Sequence, residues 1–207
     1  MHALADPSPP DTRHALPPDA HARLIAAAAA TFREEGYRAS IDRIAARAQV
    51  ARQTLYNHFG SKDALFSEVV RQAIAAILVT LDGDAPLRAT LLAFGAAYRD
   101  KLLSPEGLAL FRTMTSEAPR FPELARQFYR DGPQTTRQRL AERLARAVDA
   151  GELAGDPAFA AEMFTAMLID HDRLRALFDA PESPLAGNAA RTARIVDCFL
   201  RAFAPHP

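Results

Sequence analysis

The stretch GYRASIDRIAARAQVARQTLYNHFGSKDALF, from Gly36 to Phe66, decides the fold of this 207-residue chain. Ser40 stands where an N-cap would satisfy the first amide groups of a short helix that ends near Arg47. A second short helix is expected from Arg52 to Phe59, after a tight connection. Two short helices joined in this way are typical of a helix-turn-helix, although many helical proteins contain such a pair.

Helical patterns continue on both sides of this stretch. A first helix is predicted from about Asp19 to Glu35, and a long fourth helix follows the break at Gly60-Ser61 and ends near Leu81. The pattern leaves open whether residues 131–133 kink one long helix or separate two. Because no stretch alternates apolar and polar residues for long, we predict an all-α fold. Further helices are expected at roughly residues 86–103, 105–117, 121–131, 133–150, 157–178 and 187–203.

The composition limits the class of protein. Hydrophobic residues make up 49% of the chain and charged residues 24%, as in soluble globular proteins. No run of about 18 uncharged apolar residues is present, so no membrane span is predicted. The N-terminus lacks the order of a secretory signal, and the single cysteine, Cys198, fits a reducing cytoplasm. The scattered histidines give no zinc-type cluster, so neither a metal nor a cofactor is expected.

Proline and charge divide the chain into three parts. Five of the 15 prolines lie in residues 1–18, which are predicted to form a disordered tail. Residues 19–62 carry a local net charge of +3, whereas the whole chain is formally neutral. A basic block suits a small DNA-binding head, because phosphate affinity needs only a local patch, but an asymmetry of this size also arises by chance. Residues 63–207 would then form a larger helical body.

The residues of this stretch closely resemble the DNA-binding head of the TetR/AcrR family of bacterial one-component repressors. The match covers about 30 positions without a gap. It departs from the family pattern at Gln49, where the family usually has glycine, and a glutamine at positive φ costs roughly 1 kcal/mol relative to glycine. The resemblance implies a ligand-responsive, cytoplasmic repressor without enzymatic activity. The matching residues are Gly36-Tyr37, Ile44-Ala45, Ala48, Val50, Thr54-Leu55-Tyr56, His58-Phe59, Ser61-Lys62 and Leu65.

Three side chains are best placed to read bases. In a helix-turn-helix the amino end of the second helix enters the major groove, so Arg52, Gln53 and Thr54 are expected at base edges. Arginine can donate two hydrogen bonds to guanine, glutamine can pair with adenine, and a threonine methyl group can meet a thymine methyl group.

Other polar residues of the head are candidates for phosphate contacts. Spacing alone favours a half-buried core aromatic at Tyr56 and a surface residue at His58, whereas the resemblance implies that both bond phosphates. Asn57 lies between them in sequence. Ser40 and Lys62 stand at helix starts, where the side chain and the helix amino end can both bind a phosphate.

A second resemblance concerns the body. The run from Glu117 to Ala125, with Phe128-Tyr129 and Gly132-Pro133 after it, looks like the C-terminal domain of the AefR-like subgroup. This resemblance implies that the body binds a small ligand and forms a homodimer through its last two helices, so that two heads bind a palindromic double-stranded operator. The terminal helix carries a broad apolar face that we predict to be the dimer interface, made by Ile195, Val196, Phe199 and Phe203.

Methionine and aromatic residues of the body are candidates for an effector cavity, because they fill irregular apolar space, although each also fits an ordinary core. The effector would then be small and largely apolar. Asp170-His171-Asp172 invites a metal site, but adjacent helical residues point in different directions, which leaves His171 as a polar cavity wall or a solvated residue. The other cavity candidates are Phe94, Tyr98, Phe111, Met114, Met163, Phe164 and Met167.

Two other classes of function compete with a regulator. An all-helical enzyme would need a nucleophile with a base or paired acids, but His58 lies in the DNA motif and His171 has no obvious nucleophile beside it. A helical interaction module without DNA activity would make the basic head incidental. Binding to the DNA upstream of the gene distinguishes all three.

Overall fold

The computed structural model describes residues 18–180 and 188–205, and within these ranges every regular element is helical. The predicted all-α fold is therefore confirmed. The predicted disordered tail, residues 1–18, lies outside the described residues apart from Pro18. The chain divides into two compact units, one that ends at Phe66 and one that begins at Ser67.

From Pro18 onward, the first unit contains three α-helices and the start of a fourth: α1 (Pro18–Glu35), α2 (Ile41–Ala48), α3 (Arg52–Phe59) and α4 (Lys62–Leu78). Ser40 caps α2 as predicted, because its Oγ accepts a hydrogen bond of 3.1 Å from the amide of Asp42. Phe32 and Phe66 meet edge to face, with ring centroids 5.3 Å apart. The other large residues buried in this unit include Leu24, Ile44, Leu55 and Leu65.

The turn between α2 and α3 contains a left-handed residue that is not glycine. Gln49 has φ 57° and ψ 44°, and its amide donates to the carbonyl of Ala46 at 3.1 Å. The next amide, of Val50, donates to the carbonyl of Ala45 at 3.0 Å. Because a Cβ in this conformation crowds the following carbonyl, Gln49 stores roughly 1 kcal/mol of strain relative to glycine.

The described residues of the second unit form the rest of α4 and six further helices. A 3-10 turn, Val79–Leu81, extends α4. Prolines open three of the later helices, at a position where the missing amide costs nothing. The helices are α5 (Leu87–Leu102), α6 (Pro105–Glu117), α7 (Pro122–Tyr129), α8 (Thr135–Asp149), α9 (Pro157–Leu177) and α10 (Asn188–Ala202).

The core of this unit lies among α5, α8, α9 and α10. The rings of Phe164 and Phe199 have centroids 4.7 Å apart, and both side chains are completely buried. Gly95 allows α5 to approach its neighbours closely. A Cβ at Gly95 would lie 2.8 Å from Cγ2 of Thr192 and 3.1 Å from Cδ2 of Leu168, so a larger residue would force the three helices apart.

A π-helical turn, Arg130–Gln134, joins α7 to α8 without a break. It settles the alternative left open for residues 131–133, because the backbone continues as a helix and the wider turn accommodates Pro133. Gly132 is buried in this turn, and a Cβ there would lie 3.3 Å from Cγ1 of Val70 on α4. The π turn therefore lies directly against α4.

The apolar face of α10 is turned inward. Val196 and Phe199 are completely buried in the second unit, so the prediction that they form a dimer interface is wrong for these two residues. Ile195 and Phe203 are half-buried against the same core. The exposed large apolar residues of this region instead follow one face of α9 and its C-cap at helical spacing: Phe159, Met163, Met167, Leu174 and Phe178.

Within the described residues, one helical segment, Lys62–Leu81, is long and apolar enough to cross a membrane, with a mean hydropathy of 1.7. This is weak support for a span, because core helices pass the same test. Val69, Val70 and Ile77 are buried, and the segment carries the ion pair between Glu68 and Arg71.

Candidate nucleic-acid interface and ligand cavity

The exposed surface of α3 presents one polar face. Arg52, Gln53 and Asn57 are exposed and Tyr56 is half-buried, and their spacing places all four on the same side of the helix. Leu55 is completely buried on the opposite side and anchors α3 in the first unit. We call Arg52, Gln53, Tyr56 and Asn57 the reading face.

The side chains of the reading face hydrogen-bond within the first unit. Nη1 of Arg52 donates to both carboxylate oxygens of Asp42 at 2.9 Å, and the guanidinium lies 5.5 Å from the ring centroid of Tyr56. Nε2 of Gln53 donates to Oδ1 of Asn57 at 2.7 Å. These exposed contacts are weak, since a surface ion pair contributes about 0–1 kcal/mol, so DNA can displace them.

Two predicted contact residues lie outside this face. Thr54 is half-buried on the flank of α3. The ring of His58 meets His21 of α1, with Nδ1 of His21 3.0 Å from Nε2 of His58, and it packs edge to face on Phe59. His21 is a neighbour that sequence reasoning missed, because no local spacing relates residues so far apart in the chain.

The two helix-start residues have different surroundings. Ser40 is exposed, and since its oxygen accepts the capping bond, its hydroxyl hydrogen remains available to a phosphate. The ammonium of Lys62 donates to the carbonyl of Tyr37 and lies 4.4 Å from the ring centroid of that residue. Burial lowers the pKa of Lys62. Lys62 is therefore held against the 3-10 turn at Gly36–Arg38 rather than extended into solvent.

Ion pairs distribute the charge of the first unit. Each of the four carboxylates between residues 19 and 62 lies within ion-pair distance of an arginine. Hydrogen bonds from Arg23 and Arg47 lower the pKa values of Asp19 and Glu34. The net surplus of positive charge in this segment is unchanged by these pairs, which are Asp19–Arg23, Glu34–Arg47, Glu35–Arg43 and Asp42–Arg52.

The second unit contains a cavity of about 430 Å³ between helices α4 to α9. This volume lies in the range of small-molecule sites, about 300–1,000 Å³. Most of its walls are apolar or aromatic, and the π turn contributes Gly132 and Pro133. Other lining residues are Val70, Ile74, Ile77, Tyr98, Leu102, Phe111, Phe128, Tyr129, Thr136, Arg137, Thr165, Ile169, Asp170 and Arg173.

Two of the eight predicted cavity residues, Tyr98 and Phe111, line this cavity. The other six do not, because the sequence pattern cannot separate core from cavity or surface. Phe94, Met114 and Phe164 are buried in packed core, and Met163, Met167 and His171 are exposed on α9.

The cavity contains polar groups that sequence reasoning missed. Arg137 of α8 donates to the hydroxyl of Tyr129, and its guanidinium lies 5.3 Å from the centroid of that ring. Arg173 of α9 pairs with Asp170 at 3.1 Å and lies 4.3 Å from the ring centroid of Phe111. Each of these arginines belongs to a helix whose predicted pattern was amphipathic, so neither differs in sequence from an ordinary surface arginine.

No group of three potential metal ligands converges within the described ranges. In the segment considered for a metal, Asp172 instead accepts a hydrogen bond from Nη1 of Arg99 at 2.8 Å and lies within ion-pair distance of Arg191, whose Nε is 2.7 Å away. Asp170 pairs with Arg173 within α9, as described above. Asp172 therefore serves ion pairs that tie α9 to α5 and α10.

Family models match both units. The model described as bacterial regulatory proteins, tetR family, matches residues 24–69. The model of the AefR-like transcriptional repressor C-terminal domain matches residues 89–205, which is more than half of the chain.

Solved structures share the fold over nearly the whole chain. A TetR-family transcriptional regulator from Mesorhizobium loti is 27% identical and covers 94% of this chain and 100% of its own, with a TM-score of 0.75. The flavonoid-responsive regulator FrrA is 30% identical and covers 91% of this chain and 98% of its own, with a TM-score of 0.71. A TetR-family regulator from Pseudomonas syringae is 26% identical, covers 91% and 96%, and has a TM-score of 0.62. None of the curated proteins compared with the chain matches it.

Proposed function

Because this chain belongs to the TetR family, with an AefR-like C-terminal domain, it is a ligand-responsive DNA-binding transcriptional regulator, and we propose that it represses transcription from a palindromic operator as a homodimer. The family is regulatory rather than enzymatic, and its members bind DNA operators as dimers with small-molecule effectors. The observation that carries the proposal for this chain is the exposed reading face of α3.

In this proposal α3 enters the major groove, and its side chains replace their hydrogen bonds within the first unit by hydrogen bonds to DNA. Arg52 leaves Asp42 to donate to guanine, and Gln53 leaves Asn57 to pair with adenine. Tyr56 and His58 bond phosphates at the edges of the groove. The amino ends of α2 and α4 hold the flanking backbone together with the hydroxyl of Ser40 and with the ammonium of Lys62, which leaves the carbonyl of Tyr37 on binding.

The exposed apolar face of α9 supports a dimer interface that differs from the one predicted on α10. A row of large apolar side chains at helical spacing is costly in water and marks a contact surface. We propose that Phe159, Met163, Met167, Leu174 and Phe178 pack against the same residues of a second copy, with Ile195 and Phe203 of α10 at the margin. Two heads about 34–36 Å apart would then read successive major grooves.

The cavity of the second unit is the proposed effector site. An effector that prefers one arrangement of the body shifts the population of dimers able to bind DNA, and this effect cannot exceed its preference between the two states. FrrA, by its name, responds to flavonoids, and it is 30% identical to this chain. Together with the aromatic walls of the cavity, this supports a planar aromatic effector for the present chain.

A gel shift with the DNA upstream of the gene tests DNA binding, and sedimentation tests the dimer. The double variant Met163→Glu/Met167→Glu is expected to sediment as a monomer and to lose operator binding, because it would bury carboxylates in the interface. Ala158→Glu adds a charge to an exposed position on another side of α9 and should leave both properties unchanged. A folded double variant that remains a dimer would exclude this interface.

We also propose that the regulator acts in the cytoplasm and has no catalytic role of its own. The single cysteine, Cys198, is exposed and in contact with Arg201, as suits a reducing compartment. Absence of binding to any upstream or random DNA in the gel shift would instead favour a helical interaction module.

A further inference from the structure

We infer that the cavity of the second unit binds a planar, largely apolar acid whose charged oxygen, a phenolate or a carboxylate, is held by Tyr98 and Arg137. The inference rests on the proposed function, because it specifies the chemistry of the effector. Three observations carry it: among the described residues the Tyr98 hydroxyl has no hydrogen-bond partner, Arg137 has no carboxylate partner, and the two lining threonine hydroxyls already donate to their own helices.

Tyr98 is buried at the cavity wall with its hydroxyl unused. The side chain is 7% exposed, and its ring stacks on Phe94 with centroids 5.3 Å apart. Tyr98 lines the cavity, and in the described part of the chain no group hydrogen-bonds its hydroxyl. This hydroxyl is therefore free to donate to a ligand. Burial raises the pKa of Tyr98 to about 12, so the group is a neutral donor at physiological pH.

Arg137 supplies a positive charge to the wall of the same cavity. It is half-buried, it contacts Tyr129, and it forms no ion pair with a carboxylate of the described segments. Arg173, in contrast, is already paired with Asp170. Arg137 is therefore the lining arginine that lacks a carboxylate partner in the described segments.

The other polar side chains that line the cavity do not supply the acceptor that Tyr98 and Arg137 lack. The hydroxyls of Thr136 and Thr165 donate to backbone carbonyls of their own helices at 3.0 Å and 2.9 Å. Glu162 and Lys101 also line the cavity, but both are exposed. Tyr98 and Arg137, which are less exposed, are donors, so a ligand held by them must accept, and beside an arginine a charged oxygen gives the stronger bond.

The skeleton of the ligand follows from the walls. Phe111, Phe128 and Tyr129 present aromatic surface to the cavity, and aromatic rings pack well against a flat aromatic molecule. The lining residues of α4 are apolar and add no hydrogen-bonding side chain to the cavity. A flat aromatic ligand with one acidic group at its end therefore matches the positions of the polar and apolar side chains that line the cavity.

Calorimetric titration with two matched pairs of probes tests the inference. 7-Hydroxyflavone is compared with 7-methoxyflavone, and 2-naphthoate with 2-naphthamide, so that the pairs distinguish a phenolate from a carboxylate. At least one acid should bind about tenfold or more tightly than its neutral analogue. Tyr98→Phe and Arg137→Gln should each weaken that acid about tenfold and leave the neutral analogue within about twofold.

Arg139 lies on α8 like Arg137, but it pairs with Asp82 and does not line the cavity, so the control is Arg139→Gln. It should bind both probes as the parent protein does. Tyr98→Phe keeps the ring that stacks on Phe94 and removes no hydrogen bond to another described residue, so its free energy of unfolding should stay close to that of the parent. A loss of affinity is then not a loss of folding.

Equal affinities within both pairs, or no binding of either acid up to its solubility limit, would overturn the inference. So would a Tyr98→Phe variant that binds the acid normally. Since the titration contains no DNA, failure of the parent protein to bind upstream DNA counts against the proposed function alone.

Discussion

Replacing Gln49 by glycine should stabilise the first unit. Gln49 is held at φ 57° and ψ 44° in the turn between α2 and α3, and its exposed side chain forms no hydrogen bond to another described residue. Removing the Cβ relieves a strain of about 1–2 kcal/mol. Glycine also has more conformational entropy than glutamine in the unfolded chain, which lowers the free energy of unfolding by about 0.4–1 kcal/mol. With the middle of each range, the net gain is about 0.8 kcal/mol.

Amide hydrogen exchange followed by mass spectrometry can measure this gain in the first unit separately from the second. Exchange of the most protected amides of α2 and α3 should slow about two- to fivefold in Gln49→Gly. Gln49→Ala separates the two effects, because it removes the side chain but keeps the Cβ, and it should change exchange little.

The control is Ala46→Gly, at an exposed position of α2 that has ordinary helical geometry. Glycine there should destabilise the helix by about 1 kcal/mol, so exchange should become faster. If Gln49→Gly and Ala46→Gly change the exchange rate in the same direction, the left-handed residue is not the source of strain.

Three further predictions concern the DNA interface and the core. Gln53→Ala should relax specificity at one base pair of each half-site, at a cost of about 1–3 kcal/mol, and unchanged relative affinities for operator variants would contradict its base contact. Lys62→Ala should weaken operator and random DNA alike and lower the salt slope by about one, so an effect limited to the operator would exclude a phosphate contact. Phe199→Ala should lower the free energy of unfolding by about 3–5 kcal/mol, as measured by denaturant titration, because the side chain is completely buried; a variant as stable as the parent would show that the site is loosely packed.

Local chemistry made the helices of the first unit predictable. Ser40 caps α2, apolar spacing places Leu55 inside, and Gly60 ends α3 at positive φ, all within short distances along the chain. The fold of the second unit was likewise predictable from apolar spacing and from prolines at helix starts.

The partners of each apolar face could not be predicted from the same patterns. The face of α10 with Val196 and Phe199 was broad enough for an interface, but it packs into the core of its own unit. Met163 and Met167 of α9 were predicted to line a cavity because methionine commonly does so, but both side chains are exposed. Amphipathic spacing shows that a helix face is buried, but it does not show which part of the protein buries it. The position of a cavity depends on which helices pack together, and this is not encoded in the spacing of one helix.

The π turn determines which side chains of α7 and α8 can share one cavity wall. The lining residues of this stretch recur every four positions, as Phe128, Gly132 and Thr136, with their neighbours Tyr129, Pro133 and Arg137. A regular α-helix has 3.6 residues per turn, so over these eight positions the row would rotate by about 80° around the helix axis. One turn that takes an extra residue brings the two halves back into phase. Deleting one residue of Arg130–Gln134 would turn either the aromatic pair of α7 or Arg137 away from the cavity, so the length of this turn determines which side chains line it together.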